Sequence, residues 1–223
     1  MNDTRPKAVC LLSGGMDSTV SAAWASQQYD VYALHVGYGQ KAAARERRCA
    51  EDVARLLKAR EFRVTEVPFL QELGGSALTD ARLAIPTGAV SSGEIPITQV
   101  PFRNGILLSL AVAWAEAIDA RAVVIGAVEE DSSGYPDCRE QFLVALEHAV
   151  DMGTKPDRDI RIVAPLVHKT KGEIVRLGVE LRAPFAASWS CYDEGPLPCN
   201  ECESCLLRAK GFREAGVQDP LLK

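Results

Sequence analysis

Residues 8 to 18 read AVCLLSGGMDS, an apolar run that stops abruptly at Ser13-Gly14-Gly15-Met16-Asp17-Ser18. A short apolar run bounded by glycine reads as a buried strand, and the TVSAAWASQQ stretch behind it, residues 19–28, supplies small residues and good helix formers. The sequence therefore predicts a strand, an anion-holding loop and a helix. Adjacent glycines let the backbone approach an anion with no Cβ in the way. The hydroxyls of Ser13 and Ser18, the N–H groups of the loop and the helix N-terminus can then face one phosphate cluster. Two better-known glycine motifs are excluded: no Lys precedes the serine, and the spacing is not G-x-G-x-x-G.

With 223 residues, 47% of them hydrophobic, the chain can bury one large α/β core. β-rich runs at 31–36 (VYALHV), 62–67, 122–127 (AVVIGA) and 160–165 alternate with helical patterns at 42–59, 106–118, 140–151 and 170–177. That alternation predicts an α/β, Rossmann-like parallel sheet flanked by helices, with ligands at the carboxyl edge of the strands. Between 70 and 101 the periodicity lapses at Gly74-Gly75, Pro86, Gly88, Ser91-Ser92-Gly93 and Pro96, and this stretch is expected to be a mobile cover over the site. Net charge is −5, which argues against a nucleic-acid partner. MNDTRPK at the start lacks the apolar stretch of a signal peptide, and no apolar run approaches the ~18 residues of a membrane span. A cytoplasmic protein is expected.

The polar candidates gather at predicted strand ends. Tyr38-Gly39-Gln40-Lys41 follows the second strand. The helix over 42–59 carries Ala50, Val53, Ala54, Leu56 and Leu57 on one face, and its charge run Arg45-Glu46-Arg47-Arg48 reads as a solvated face. VPFRNG opens a nearly apolar helix, so Arg103 and Asn104 sit where free N–H groups favour anions. The plainer alternative has Asn104 capping that helix and Arg103 pairing with a surface carboxylate. After the fourth strand comes a packed polar and aromatic run, Glu129-Glu130-Asp131-Ser132-Ser133-Gly134-Tyr135-Pro136-Asp137-Cys138-Arg139, unusual for a plain connection. Lys169 and Lys171 open a later helix, from which lysines can reach back to phosphates.

Of seven cysteines, Cys191, Cys199, Cys202 and Cys205 form C-x7-C-x2-C-x2-C. Two consecutive two-residue spacers bring three sulfurs into one knuckle, and Cys191 can complete a tetrahedron. Four thiolates suit a closed structural zinc site; an iron–sulfur cluster is the rival, because C-x2-C-x2-C also occurs there. The domain reading is an α/β domain over 1–185 and a zinc-binding C-terminal segment over 186–223.

SGGMDS after an N-terminal strand resembles the pyrophosphate loop of the ATP pyrophosphatase superfamily. The order SGGMDS, YGQK, VPFRNG, SGYPDCR, Lys-Gly-Glu after APL, WSCYDEG, the cysteine cluster and LLRAKGFREAGVQDPL is similar to the 7-cyano-7-deazaguanine synthase family over residues 8 to 222. The resemblance implies ATP-dependent conversion of 7-carboxy-7-deazaguanine and ammonia to the nitrile, through an adenylated carboxylate and then an adenylated amide. It implies ATP, Mg²⁺ and Zn²⁺ as cofactors and a homodimer. On that resemblance Leu12, Ser13, Gly14, Gly15, Met16, Asp17 and Ser18 bind ATP, with Asp17 meeting Mg²⁺. Arg103 and Lys171 stabilise developing charge. Tyr38, Gln40, Asn104, Tyr135, Asp137 and Arg139 recognise substrate, and Glu129 and Asp131 face the donor edge of the deazaguanine or ammonium. The chain departs from the family's Tyr-Gly-Gln-Arg-His at Lys41-Ala42: lysine keeps the charge and loses arginine's bidentate geometry, leaving Lys41 as a phosphate contact and position 42 without a role. The rivals are a paralogue that passes the activated acid to another amine, a tRNA-modifying adenylating enzyme, and a non-catalytic zinc-knuckle module.

Overall fold

The computed structural model describes residues 5–88, 95–129 and 134–222. Five strands, β1 (Lys7–Leu11), β2 (Asp30–Gly37), β3 (Glu61–Glu66), β4 (Ala122–Val124) and β5 (Arg161–Val163), form one sheet in the order β3-β2-β1-β4-β5. Every pairing is parallel; Val9 lies beside Tyr32 on one side and Val123 on the other. The direction of winding reverses between β1 and β4, which opens a crevice at their carboxyl ends. The SGGMDS loop occupies that crevice.

Residue alternation along the central strands assigns the two faces. Val9, Leu11, Leu34, Val36 and Val123 pack with Leu108, Ala111 and Trp114 of α4 (Arg103–Ala117) and Leu143 and Val150 of α5 (Glu140–Gly153). On the other face Ala8, Cys10, Leu12, Ala33 and Val124 pack with Ala22 and Ala25 of α1 (Met16–Ala25) and Ala50, Val53 and Ala54 of α2 (Ala43–Leu56). Strands buried on both faces explain the continuous apolar runs. α4 buries one side fully and leaves Ser109 exposed, so its nearly all-apolar sequence is only partly matched by burial. β4 and β5 are shorter than the apolar runs that predict them, because the chain leaves the ladder at Ile125 and Ala164 to build the crevice.

The segment after β3 holds a short helix, α3 (Phe69–Glu72), and then turns. Its described parts are well anchored: Leu70, Leu78 and Val100 are buried around Tyr38, and the Ala77 N–H donates to the Ile97 carbonyl at 2.8 Å. Thr87 forms an antiparallel bridge to Cys202, and the Gly88 N–H donates to the Glu201 carbonyl at 2.9 Å. The chain ends in α6 (Lys171–Glu180) and α7 (Glu203–Ala215), which pack closely; a Cβ on Gly211 would lie 2.9 Å from the Lys171 carbonyl oxygen. Thr170 and Glu173 close a capping box that fixes where α6 starts, and hence where Lys171 points. Among the described residues no helix is long and apolar enough to cross a membrane.

Candidate active site

A cavity of about 280 Å³ opens at the carboxyl edge of β1, β2 and β4. Its floor is the SGGMDS loop. Gly14 has φ of 87°, and a Cβ there would fall 2.5 Å from the Glu46 carbonyl oxygen, so only glycine lets the loop lie against α2. The Gly14 carbonyl is held by the Trp189 N–H at 2.8 Å. Ser13 and Ser18 meet hydroxyl to hydroxyl at 3.0 Å, and the Gly15 N–H donates to Ser13 Oγ at 3.2 Å. No side chain caps the N-terminus of α1, whose first turn therefore keeps its positive end toward the cavity. Beside it Lys171 Nζ donates to Asp17 Oδ2 at 2.7 Å, while Asp17 Oδ1 is buried with no hydrogen-bond partner among the described residues. A buried carboxylate oxygen left without a partner is suited to a cation.

Arg103, at the first position of α4, forms the facing wall. Its Nη1 donates to the Tyr38 hydroxyl at 3.3 Å, and its Cζ lies 5.6 Å and 5.8 Å from the ring centroids of Tyr38 and Tyr135. Arg103 Nε and Nη2 both donate to Asn104 Oδ1 at 3.2 Å, and Asn104 Nδ2 donates onward to Cys138 Sγ at 3.1 Å. The guanidinium is thus aimed by Asn104 and flanked by two phenols. Thr98 Oγ1 meets the Tyr135 hydroxyl at 2.8 Å, tying the second phenol to the segment before α4.

α2 contributes a carboxylate. Gln40 Oε1 accepts the Tyr38 N–H at 2.8 Å, and Gln40 Nε2 donates to Glu46 Oε2 at 3.0 Å, so Gln40 bridges the turn after β2 to α2. Burial pushes the Glu46 carboxyl up to about 7, against the opposing pull of Gln40 and Arg103; Glu194 adds to the rise. Arg45 on the same turn stacks over Trp189, with Cζ 4.3 Å from the ring centroid. The solvated-face reading therefore fails for Arg45 and Glu46 and holds for Arg47 and Arg48, which are exposed.

The cysteine knuckle closes the third side. The sulfurs of Cys191, Cys199, Cys202 and Cys205 all lie within 4.8 Å of one another. Four sulfurs about 2.3 Å from one tetrahedral ion would stand ~3.8 Å apart, so this set fits a single shared metal ion. Backbone N–H groups of Asp193 and Cys199 donate to Cys191 Sγ, both at 3.4 Å, and that of Cys202 donates to Cys199 Sγ at 3.3 Å, an arrangement that favours thiolates. Between the first two cysteines Glu194 Oε1 accepts the Ala44 N–H at 2.7 Å and docks the knuckle on the start of α2. Behind it Arg208 Nε and Nη2 bind the Asp219 carboxylate at 2.6 and 2.9 Å, while Nη1 donates to Ser188 Oγ at 2.8 Å.

Of the residues singled out in the sequence, Leu12, Ser13, Gly15, Met16, Asp17, Ser18, Tyr38, Gln40, Arg103, Asn104, Tyr135 and Lys171 line the cavity, and Gly14 shapes its floor. Glu129, Asp137 and Arg139 do not. Asp137 is buried and its Oδ2 accepts the Asn104 N–H at 2.8 Å, capping α4; Glu129 Oε2 accepts the Glu140 N–H at 3.0 Å at the start of α5; Arg139 is exposed. Asp131 lies outside the described residues. Lys41 lines the cavity, yet its Nζ donates to the Leu83 carbonyl at 2.6 Å, anchoring the turn after α3. Asn104 does not act as the cap of α4, since Phe102 holds that position with φ of 51°. Sequence reasoning missed Glu46, Trp189, Ser190, Tyr192 and Arg208 as parts of the wall. Glu46 carries a usable signal: it stands four, seven and eight residues before Ala50, Val53 and Ala54, on the buried face of α2.

The match to known proteins runs over the same elements. Residues 7–216 match the family described as "Queuosine biosynthesis protein QueC". The chain belongs to the QueC family. A relative from a Nitratiruptor species, named 7-cyano-7-deazaguanine synthase, is 47% identical over 216 residues, covering 96% of this chain and 97% of its own. One from Koribacter versatilis, of the same name, is 51% identical over 219 residues, covering 96% of this chain and 92% of its own. Among solved structures, a 4-thiouridine synthetase in complex with RNA and bound ATP superposes with TM-score 0.53 at 17% identity, over 95% of this chain and 50% of that one. The U34-tRNA thiolase NcsA of Methanococcus maripaludis with its 4Fe–4S cluster gives TM-score 0.52 at 16% identity, over 94% of this chain and 64% of that one. These two establish a shared fold. QueC membership makes the chain a synthase of queuosine biosynthesis.

Proposed function

We propose that this QueC-family chain is an ATP-dependent carbon–nitrogen ligase that converts 7-carboxy-7-deazaguanine and ammonia to 7-cyano-7-deazaguanine. The supporting observation is that one cavity joins an uncapped, glycine-shaped phosphate loop to a wall of Arg103 held between Tyr38 and Tyr135. A carboxylate is a poor electrophile, so its oxygen must first displace pyrophosphate from the α-phosphate of ATP. Ser13, Gly15, Ser18 and the start of α1 hold the phosphates, and Lys171, aimed by Asp17 at 2.7 Å, offsets the charge that develops there. The unpartnered Asp17 Oδ1 suits Mg²⁺, which when bound neutralises the leaving pyrophosphate. Arg103 offers a rigid cation to the substrate carboxylate, flanked by the Tyr38 and Tyr135 rings.

Ammonia displaces AMP to give the amide; activation of the amide oxygen by a second ATP then permits loss of that oxygen and formation of the nitrile. Zinc held by Cys191, Cys199, Cys202 and Cys205 would have no open position, and its work would be to hold residues 191–205 against α2. Small substrates rather than RNA agree with the net charge of −5. Incubation with ATP, Mg²⁺, ammonium and the deazaguanine acid should yield AMP only when the acid is present, and mass spectrometry should find the nitrile. Formation of AMP and an amide to any other amine, with no nitrile, would replace this reading with that of a transferase.

A further inference from the structure

Resting on that reading, we propose that Glu46 is the proton acceptor for the nitrogen nucleophile. The cavity is lined by only two acidic residues among the described ones, Asp17 and Glu46, and by no histidine. Asp17 is committed on both oxygens under that reading, Oδ2 to Lys171 at 2.7 Å and Oδ1 to the cation. Glu46 is held by a single side-chain bond from Gln40 to Oε2 at 3.0 Å, which leaves Oε1 available. Gln40 is itself locked by the Tyr38 N–H at 2.8 Å, so the available oxygen has a fixed direction. The charged and titratable groups that act on the carboxyl are Arg103 from α4, Glu194 from the knuckle and, through Gln40, the Tyr38 turn.

The reaction needs such a group. When the ammonia lone pair forms the C–N bond to the acyl-adenylate, the C–O bond to phosphate breaks, AMP leaves with that electron pair, and the nitrogen must shed one proton to become a neutral amide. Glu46 Oε1 takes that proton and releases it to solvent. In the second half the amide loses one N–H proton to solvent as its oxygen displaces pyrophosphate, and the adenylated imidate loses its last N–H proton to the same Glu46 oxygen as the C–O bond breaks, the C≡N bond completes and the second AMP departs. A carboxyl raised to about 7 is half ionised at neutral pH, the range in which a general base works best. Below that value Glu46 is protonated and cannot accept, so at a fixed concentration of unprotonated ammonia the rate of amide formation should rise with pH through about 7 and then level off.

The test is Glu46→Gln, which keeps the volume and a partner for Gln40. Adenylation is read by acid-dependent exchange of labelled pyrophosphate into ATP without ammonia, and amide and nitrile formation by mass spectrometry across pH. Loss of general base catalysis should lower amide formation about 100-fold or more, flatten its acidic limb, and change exchange by less than about threefold. Glu46→Asp should restore part of the rate together with the acidic limb. Equal loss in exchange and amide formation, or an unchanged pH profile in Glu46→Gln, would overturn the assignment. Absence of acid-dependent exchange in the unaltered protein would instead overturn the proposed reaction.

Discussion

The phosphate end and the knuckle end of the cavity are built in opposite ways. Ser13 to Ser18 form the floor from one contiguous stretch, shaped by glycine and by hydroxyls that bond to one another within it. The knuckle end is assembled across the chain: the Trp189 N–H holds the Gly14 carbonyl, Glu194 caps α2, Thr87 bridges to Cys202, and Asp219 returns from near the C-terminus to bind Arg208. The first end depends on backbone conformation at single positions. The second depends on many distant groups that a cysteine cluster able to hold a metal ion and a buried ion pair keep in register. A contiguous site should therefore fail locally, losing phosphate binding with the fold intact, whereas an assembled site should fail together with its neighbours.

Gly14→Ala probes the floor and should have the largest effect. It places a Cβ 2.5 Å from a backbone oxygen at φ of 87°, and the strain of about 1–3 kcal/mol from the backbone alone must be relieved by moving the loop. Acid-dependent pyrophosphate exchange should fall more than 100-fold while the far-ultraviolet circular dichroism spectrum stays the same. Cys202→Ser, or removal of metal by a chelator, probes the other end. Loss of several kcal/mol should lower the melting temperature by about 10 °C, on a scale of ~2–4 °C per kcal/mol for a domain of this size. Protease cleavage should then appear in 76–88 as well as in 191–205, because Thr87 and Gly88 rest on the knuckle. Asp137→Asn sharpens the comparison at a position between the two. Its carboxylate caps α4, so the expected change is about 1 kcal/mol of stability and a KM for the deazaguanine acid within about threefold of the unaltered protein. A KM raised tenfold or more would move Asp137 back into the substrate site.

The same contrast explains what the sequence made legible. The floor could be read residue by residue because its chemistry lies within one hexapeptide, and the cysteines because metal geometry demands close spacing. The parallel sheet flanked by helices followed from the alternation of elements, whereas its strand order is set by the fold. Glu46 was hidden inside ARERR, where charge density suggests water; the helical spacing to Ala50 and Val53 turns its side chain inward all the same. The resemblance implies substrate roles for Asp137 and Glu129, yet each accepts an N–H at a helix start, a need that only the folded arrangement of α4 and α5 reveals. Arg208 has no local signal inside LLRAKGFREAGVQDPL, because its partner Asp219 lies beyond the end of α7.

The central claim is that a single site activates the same substrate twice with ATP and passes it to ammonia. Its most direct test is the ratio of AMP to nitrile when the purified protein is incubated with ATP, Mg²⁺, ammonium and 7-carboxy-7-deazaguanine. Two AMP for each nitrile, with the amide appearing first and then consumed, is the predicted result. One AMP for each amide with no nitrile on prolonged incubation would contradict it.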